Sequence, residues 1–270
     1  MQHVALVTGA TRGLGRAIAL ALGKAGFATV VTGRTMGAGE GRHDGMAKPV
    51  PGSVAETVEA IEAAGGIAMG ARLDLLDRGS IDAALAATMA RFGRLDVLVN
   101  NGIYQGPMTR QTMMEVDIAD AERATMGNFV NQFHLTREAI RIMAPQGSGR
   151  IIFMSTLSSA MPAMGSSGLF YNAPKAAFNR IADYVQFEHG KDGIHAFLIE
   201  PRFTMTDTLR ATMGEEADRI GMGSQARHPD ETARTVAWLA RHPDAPRYAT
   251  PEMINAPDFF VDRAIAPDLD

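Results

Sequence analysis

Six short runs of apolar and β-branched residues recur along the chain, and the stretches between them carry helical periodicity. The runs are HVALVTG (3–9), ATVVTGR (28–34), IAMGARLD (67–74), LDVLVNN (95–101), RIIFMS (150–155) and IHAFLIEP (194–201). Most are apolar at successive positions rather than alternating, as strands covered on both faces are. One helical pattern spans Leu14 to Ala25 and is ended by Gly26. Another spans Ser53 to Ala64, opened by Ser53 and Glu56 as a capping box and closed by Gly65 and Gly66. Strand alternating with helix predicts an α/β fold: a doubly wound parallel sheet with helices on both faces and right-handed crossovers. The 270 residues suit a single domain over 1–270.

Composition narrows the function by exclusion. Lys and Arg total 26 against 30 Asp and Glu, and no basic run occurs, so neither nucleic acid nor an anionic membrane is an expected partner. The chain has no cysteine, which removes disulfides, thiolate metal sites and a cysteine nucleophile. His43 has no metal-ligand partner at useful spacing, and no metal site is expected. No leader and no apolar stretch of roughly 20 residues is visible, so a cytoplasmic protein is expected.

The first strand runs into TGATRGLGRA, with Gly9, Gly13 and Gly15. A glycine-rich turn between a strand and a helix lets the backbone approach a pyrophosphate and aims the free N–H groups of the helix at it. Three glycines alone could be turn chemistry, but a position after the first strand and before a helix favours the phosphate loop of a Rossmann-type dinucleotide fold. The second strand ends TGRT, where an enzyme that prefers the cofactor without a 2′-phosphate places a carboxylate. Arg34 stands there instead, and Arg12 lies in the phosphate loop, so NADP(H) is expected over NAD(H). The segment 35–52, TMGAGEGRHDGMAKPVPG, is a Gly- and Pro-rich insertion that reads either as a surface loop or as a cofactor flap.

Together these stretches resemble the short-chain dehydrogenase/reductase family. TGATRGLG (8–15) matches its TGxxxGxG loop, with Leu14 inside it. Asp74 and Leu75 match the pair that holds the adenine. NNGI (100–103) is similar to NNAG, with Asn101 in place and Gly102 in the alanine position. Tyr171 and Lys175 match YxxxK, and PRFTMT (201–206) is similar to the PGxxxT stretch by the nicotinamide, which brings in Pro201, Thr204 and Thr206. The resemblance also assigns Asn128 as the helix-borne catalytic asparagine, expected to fix a water that links Lys175 to solvent.

The implied reaction is hydride transfer between a nicotinamide and an alcohol or carbonyl, with Tyr171 as proton donor or acceptor. A phenol near its usual pKa of about 10 is a poor base at neutral pH and must be tuned. On a helix, residue i+4 shares the face of residue i, which brings Lys175 beside Tyr171. A cation about 4 Å away at an effective dielectric of about 20 is worth roughly 4 kcal/mol, enough to move the pKa by about three units. Pro174 lies between them and places Tyr171 near the helix start. Two hydroxyls compete for the family's serine position, with Ser155 or no hydroxyl as the remaining alternatives. Counting 13 residues back from Tyr171 reaches Ser158, whereas the register of the strand before it reaches Thr156, and loops absorb insertions more readily than strands do.

Three departures from the family stand out. Arg202 replaces the glycine after Pro201, a change that would alter the nicotinamide loop or admit an acidic substrate. The segment RYATPEMINAPDFF lacks the closing Asp-Gly-Gly that supports tetramer contacts, although a homo-oligomer is still expected. The third is the insertion itself. Met108, Met161, Met164, Met205, Met213 and Met222 fall in segments expected to line the substrate pocket, which suggests an apolar substrate or simply core filling. The leading expectation is an NADP(H)-dependent alcohol dehydrogenase or carbonyl reductase. The alternative is a non-catalytic NADP(H)-binding regulator on the same fold.

Overall fold

The computed structural model describes residues 2–44, 48–163 and 168–265. β1 (Val4–Val7) leads into α1 (Gly13–Lys24) and β2 (Ala28–Gly33). The insertion then forms a small antiparallel hairpin of β3 (Arg42–His43) and β4 (Lys48–Pro49). α2 (Val54–Ala63), β5 (Ile67–Arg72), α3 (Arg78–Phe92) and β6 (Val97–Asn100) follow. α4 (Ile118–Thr125) continues through one π-helical turn, Met126–Val130, into α5 (Asn131–Met143). β7 (Gly149–Met154), the long α6 (Leu169–His189) and β8 (Ile194–Glu200) complete the second half. Then come α7 (Asp207–Met213), α8 (Glu215–Ser224), α9 (Pro229–Arg241), β9 (Met253–Asn255) and α10 (Phe259–Asp262).

All neighbours in the main sheet run parallel, in the order β5-β2-β1-β6-β7-β8-β9. Alternate residues of each strand feed opposite layers, as the period of two requires. Ala5, Val7, Val97, Val99, Ile152 and Phe197 pack under α1, α2 and α9, where Trp238 is the largest buried side chain. Val4, Leu6, Leu98, Ile151 and Phe153 pack under α3, α5 and α6. Each fully buried Leu, Ile or Phe contributes about 1.5–3 kcal/mol, so both faces are needed to hold the sheet.

All six expected strands form within a residue or two of their runs. Ser53 caps α2 by accepting from the Glu56 N–H at 3.1 Å, while the Glu56 carboxylate accepts from the Ser53 hydroxyl at 2.7 Å rather than from its backbone. The hairpin within 35–52 and the strand β9 inside RYATPEMINAPDFF are additions that the sequence reading left as irregular chain.

The parallel arrangement sends every strand's C-terminal end to one edge. Thr8, Arg34, Asn101, Ser155 and Pro201 all follow directly on strands there, and Asp74 lies two residues beyond β5. The strand order reverses between β1 and β6, which opens a crevice at that edge.

Candidate active site

The crevice encloses about 330 Å³ and is built on the turn from β1 to α1. Its floor is Gly9, Gly13 and Gly15. A Cβ on Gly15 would stand 2.3 Å from the Gly9 carbonyl and 2.4 Å from Asn101 Nδ2, so no side chain fits there. α1 starts without a side-chain cap, which leaves the N–H groups of its first turn directed at the crevice. The β1 and β6 ends are tied together here. Asn101 Nδ2 donates to the Thr8 carbonyl at 2.9 Å, and the Thr8 hydroxyl accepts from the N–H groups of Asn101 at 3.0 Å and Gly102 at 2.8 Å. A cradle of open N–H groups and absent side chains fits a dinucleotide's pyrophosphate.

The far wall carries charge. Arg34 lines it and faces Asp44 from the hairpin, while Arg12 donates to Thr11 and, at 3.2 Å, to Thr35. Burial lowers the Arg12 guanidinium's pKa, and the neighbouring charge of Arg34 lowers it further. Asp74 and Leu75 close this end, and Thr206, Thr208 and Leu209 form the opposite lip.

A second cluster sits where β7 meets α6. The Ser155 hydroxyl is buried and donates to Asn179 Oδ1 at 2.7 Å, a structural bond within the core edge. Thr156 Oγ1 and Ser158 Oγ lie 3.1 Å apart, and Ser158 donates to Asn172 Oδ1 at 2.7 Å. Asn172 follows Tyr171 in the first turns of α6, so this bond draws the hydroxyl-bearing turn to the tyrosine's helix. The buried Lys175 donates to the Met154 carbonyl at the end of β7, and its ammonium lies 5.2 Å from the ring centre of Phe178.

The sequence profile of the short-chain dehydrogenases matches residues 3–217. The chain belongs to that family. It is 30% identical over 254 residues to a 3-oxoacyl-(acyl-carrier-protein) reductase of Synechocystis, covering 94% of each chain. It is also 30% identical to a cis-4-hydroxycyclohexanecarboxylate dehydrogenase of Sinomonas cyclohexanicum, covering 88% of this chain and 89% of that one. A variant of actinorhodin polyketide ketoreductase solved with NADPH superposes with a TM-score of 0.77 at 26% identity, covering 96% and 97%.

Within this short-chain dehydrogenase the motif residues fall into two groups. Gly9, Arg12, Gly13, Leu14, Gly15, Arg34, Asp74, Leu75, Asn101, Gly102 and Thr206 line the crevice. Pro201 and Thr204 do not line it; the Thr204 hydroxyl donates to the Pro201 carbonyl at 2.8 Å and shapes the loop. Thr156 and Ser158 lie in the second cluster, tied to α6 through Asn172, and Tyr171 and Lys175 lie four residues apart on that helix.

Several expectations change. The Asn128 amide bridges the Tyr104 backbone, accepting its N–H at 2.7 Å and donating to its carbonyl at 2.9 Å. Its side chain therefore pins the loop after β6. Pro174 is the sixth residue of α6, one turn deeper than a first-turn proline. The Tyr171 phenol is pushed up, not down, first by burial and then by the Glu200 carboxylate. Burial lowers Lys175 to about 8 against an opposing pull from the same Glu200. Arg202 adopts φ +59°, is exposed and donates from Nε to Asn255 at 3.2 Å, and it does not line the crevice. Met108 is core, with no exposed surface, while Met161 and Met222 are exposed and Met164 lies outside the described residues.

Sequence reasoning missed Glu200 and Asp44. Glu200 accepts from the Arg202 N–H at 2.6 Å and from the Leu157 N–H, joining the loop after β8 to the hydroxyl turn. An acid in IHAFLIEP, directly before Pro201, was the available signal. Asp44 sat inside an insertion whose fold no local pattern revealed.

Proposed function

We propose that the protein is an NADP(H)-dependent carbonyl reductase or alcohol dehydrogenase acting in the cytoplasm on a largely apolar ketone, aldehyde or secondary alcohol. The observation that carries this reading is the hydrogen bond from Ser158 to Asn172, which sets the Thr156–Ser158 hydroxyls against the helix turn that bears Tyr171. The bound cofactor would supply or accept the hydride. Gly9, Gly13, Leu14 and Gly15 would hold its pyrophosphate, Asp74 and Leu75 its adenine, and Arg12 and Arg34 its 2′-phosphate. Asn101, Gly102, Pro201, Thr204 and Thr206 would line the path toward the nicotinamide.

Tyr171 gives its proton to the carbonyl oxygen, and Thr156 donates a hydrogen bond to the same atom. A phenol held above its ordinary pKa is protonated at neutral pH, as a proton donor must be, but is a weaker acid than a free phenol until the Lys175 charge offsets its burial. The Lys175 ammonium stabilises the phenolate left behind and holds the ribose, and the backbone of Asn128 leads a proton back through water. Exposed Leu157, Met161 and Leu169 flank the hydroxyl turn and support an apolar substrate. No helix among the described residues is long and apolar enough to cross a membrane.

Titration of the purified protein with NADPH and NADH, followed by a carbonyl panel, tests this. Tight NADPH binding with stereospecific hydride transfer is expected. Cofactor binding with no turnover on any carbonyl would favour a regulatory role instead.

A further inference from the structure

Arg34 is not free to receive a ligand in this structure. Its two terminal nitrogens meet the two carboxylate oxygens of Asp44 at 2.9 and 2.7 Å, a forked, bidentate pair. That geometry is the one a guanidinium uses for a phosphate as well as for a carboxylate. Asp44 also acts on Arg12, opposing the mutual repulsion of the two guanidiniums. All three residues line the crevice at the end bounded by Asp74 and Leu75.

The carboxylate comes from the insertion. The Val50 N–H donates to the Gly41 carbonyl at 3.1 Å, which closes the base of the hairpin. Gly52, at φ +89°, lies so close to the phosphate loop that a Cβ would stand 2.2 Å from the Thr11 carbonyl. The hairpin is thus seated on the phosphate loop at its base and reaches Arg34 near its turn.

We propose that Asp44 occupies the seat of the cofactor's 2′-phosphate and is displaced by it, so that Asp44 sets the discrimination between NADP(H) and NAD(H). The inference rests on the reading of Arg12 and Arg34 as the phosphate clamp. A 2′-phosphate must break the Arg34–Asp44 fork and push an anion aside, whereas a 2′-hydroxyl leaves the fork intact. The two guanidiniums carry a charge of about +2, of which Asp44 cancels half until it is displaced. The insertion therefore tempers a preference that the two arginines alone would make stronger.

Binding of 2′,5′-ADP and 5′-AMP to the full-length wild type and to Asp44→Asn, measured by calorimetry, tests this. The variant is expected to bind 2′,5′-ADP about five-fold or more tightly, the scale of a partly exposed ion pair. Its affinity for 5′-AMP should change less than two-fold. In an Arg34→Ala background, Asp44→Asn should have a clearly smaller effect on 2′,5′-ADP, because only its weaker action on Arg12 remains. If the wild type prefers 2′,5′-ADP and Asp44→Asn leaves that affinity unchanged or weaker, the displacement idea fails while the NADP(H) reading stands. If the wild type prefers 5′-AMP and the variant loses it, Asp44 is a ribose acceptor and both fail.

Discussion

Each hydroxyl in the Thr156–Ser158 pair has one proton to give, and that constrains what the pair can do. Ser158 spends its proton on Asn172, so Thr156 must donate to Ser158 in the ligand-free protein. Thr156 can polarise a substrate oxygen only by turning its proton away from Ser158. Thr156→Val should therefore lower kcat by about 100-fold or more, and Ser158→Ala by much less, at saturating cofactor. The reverse ranking would move the catalytic hydroxyl to Ser158. Tyr171→Phe should keep cofactor binding and lose about 10²–10⁴ in turnover; undiminished turnover would remove the mechanism. Lys175 offers a check through stability. Between pH 8 and 10.5 the unfolded chain keeps this lysine's proton and the folded chain has released it, so folding gains stability as pH rises through that window. Urea unfolding of ligand-free Lys175→Met should exceed the wild type in stability at pH 7, and the advantage should shrink toward pH 10.5. A constant advantage would mean that burial does not depress this lysine.

At the scale of elements, legibility followed the length of the signal. The six long apolar runs and the helices α1 and α2 were readable because periodicity and caps are local. The two-residue strands β3 and β4 were not, since two residues carry no period, and β9 is defined by its pairing with β8 rather than by its own sequence. The candidate site was legible as motifs, but its partners were not: Asn128 with Tyr104 and Arg34 with Asp44 are contacts between segments distant in sequence or without a local pattern. Two substitutions probe such joints. Gly52→Ala meets both a positive φ and the Thr11 carbonyl, so it should cost at least about 1–2 kcal/mol by thermal unfolding and weaken cofactor binding through the phosphate loop. An undisturbed variant would mean that the hairpin is not seated on that loop. Arg202→Gly relieves a left-handed backbone and loses one exposed hydrogen bond, so it should stabilise the fold by about 0.5–1 kcal/mol. Lower stability would mean that the bond to Asn255 outweighs the strain.

At the scale of the molecule, both faces of the sheet are covered, yet α5 and α6 still expose aromatic side chains. Phe133 is 47%, Tyr184 55% and Phe187 83% accessible, far more than a solitary surface aromatic needs. These residues support the expected homo-oligomer. Light scattering should find a dimer or larger species, and Phe187→Asp with Tyr184→Asp should shift it toward the monomer; an unchanged mass would place the interface elsewhere. The sheet order also bears on how the chain is made. β1 emerges first but lies in the centre, and its β6-side partners, Asp96 for the Val4 N–H and Val99 for the Thr8 N–H, come more than 90 residues later. At roughly 5–20 residues per second, a ribosome leaves that apolar strand with one edge unpaired for several seconds or more. During that interval, before any cofactor can bind, the newborn chain presents an open strand edge onto which another chain could pair.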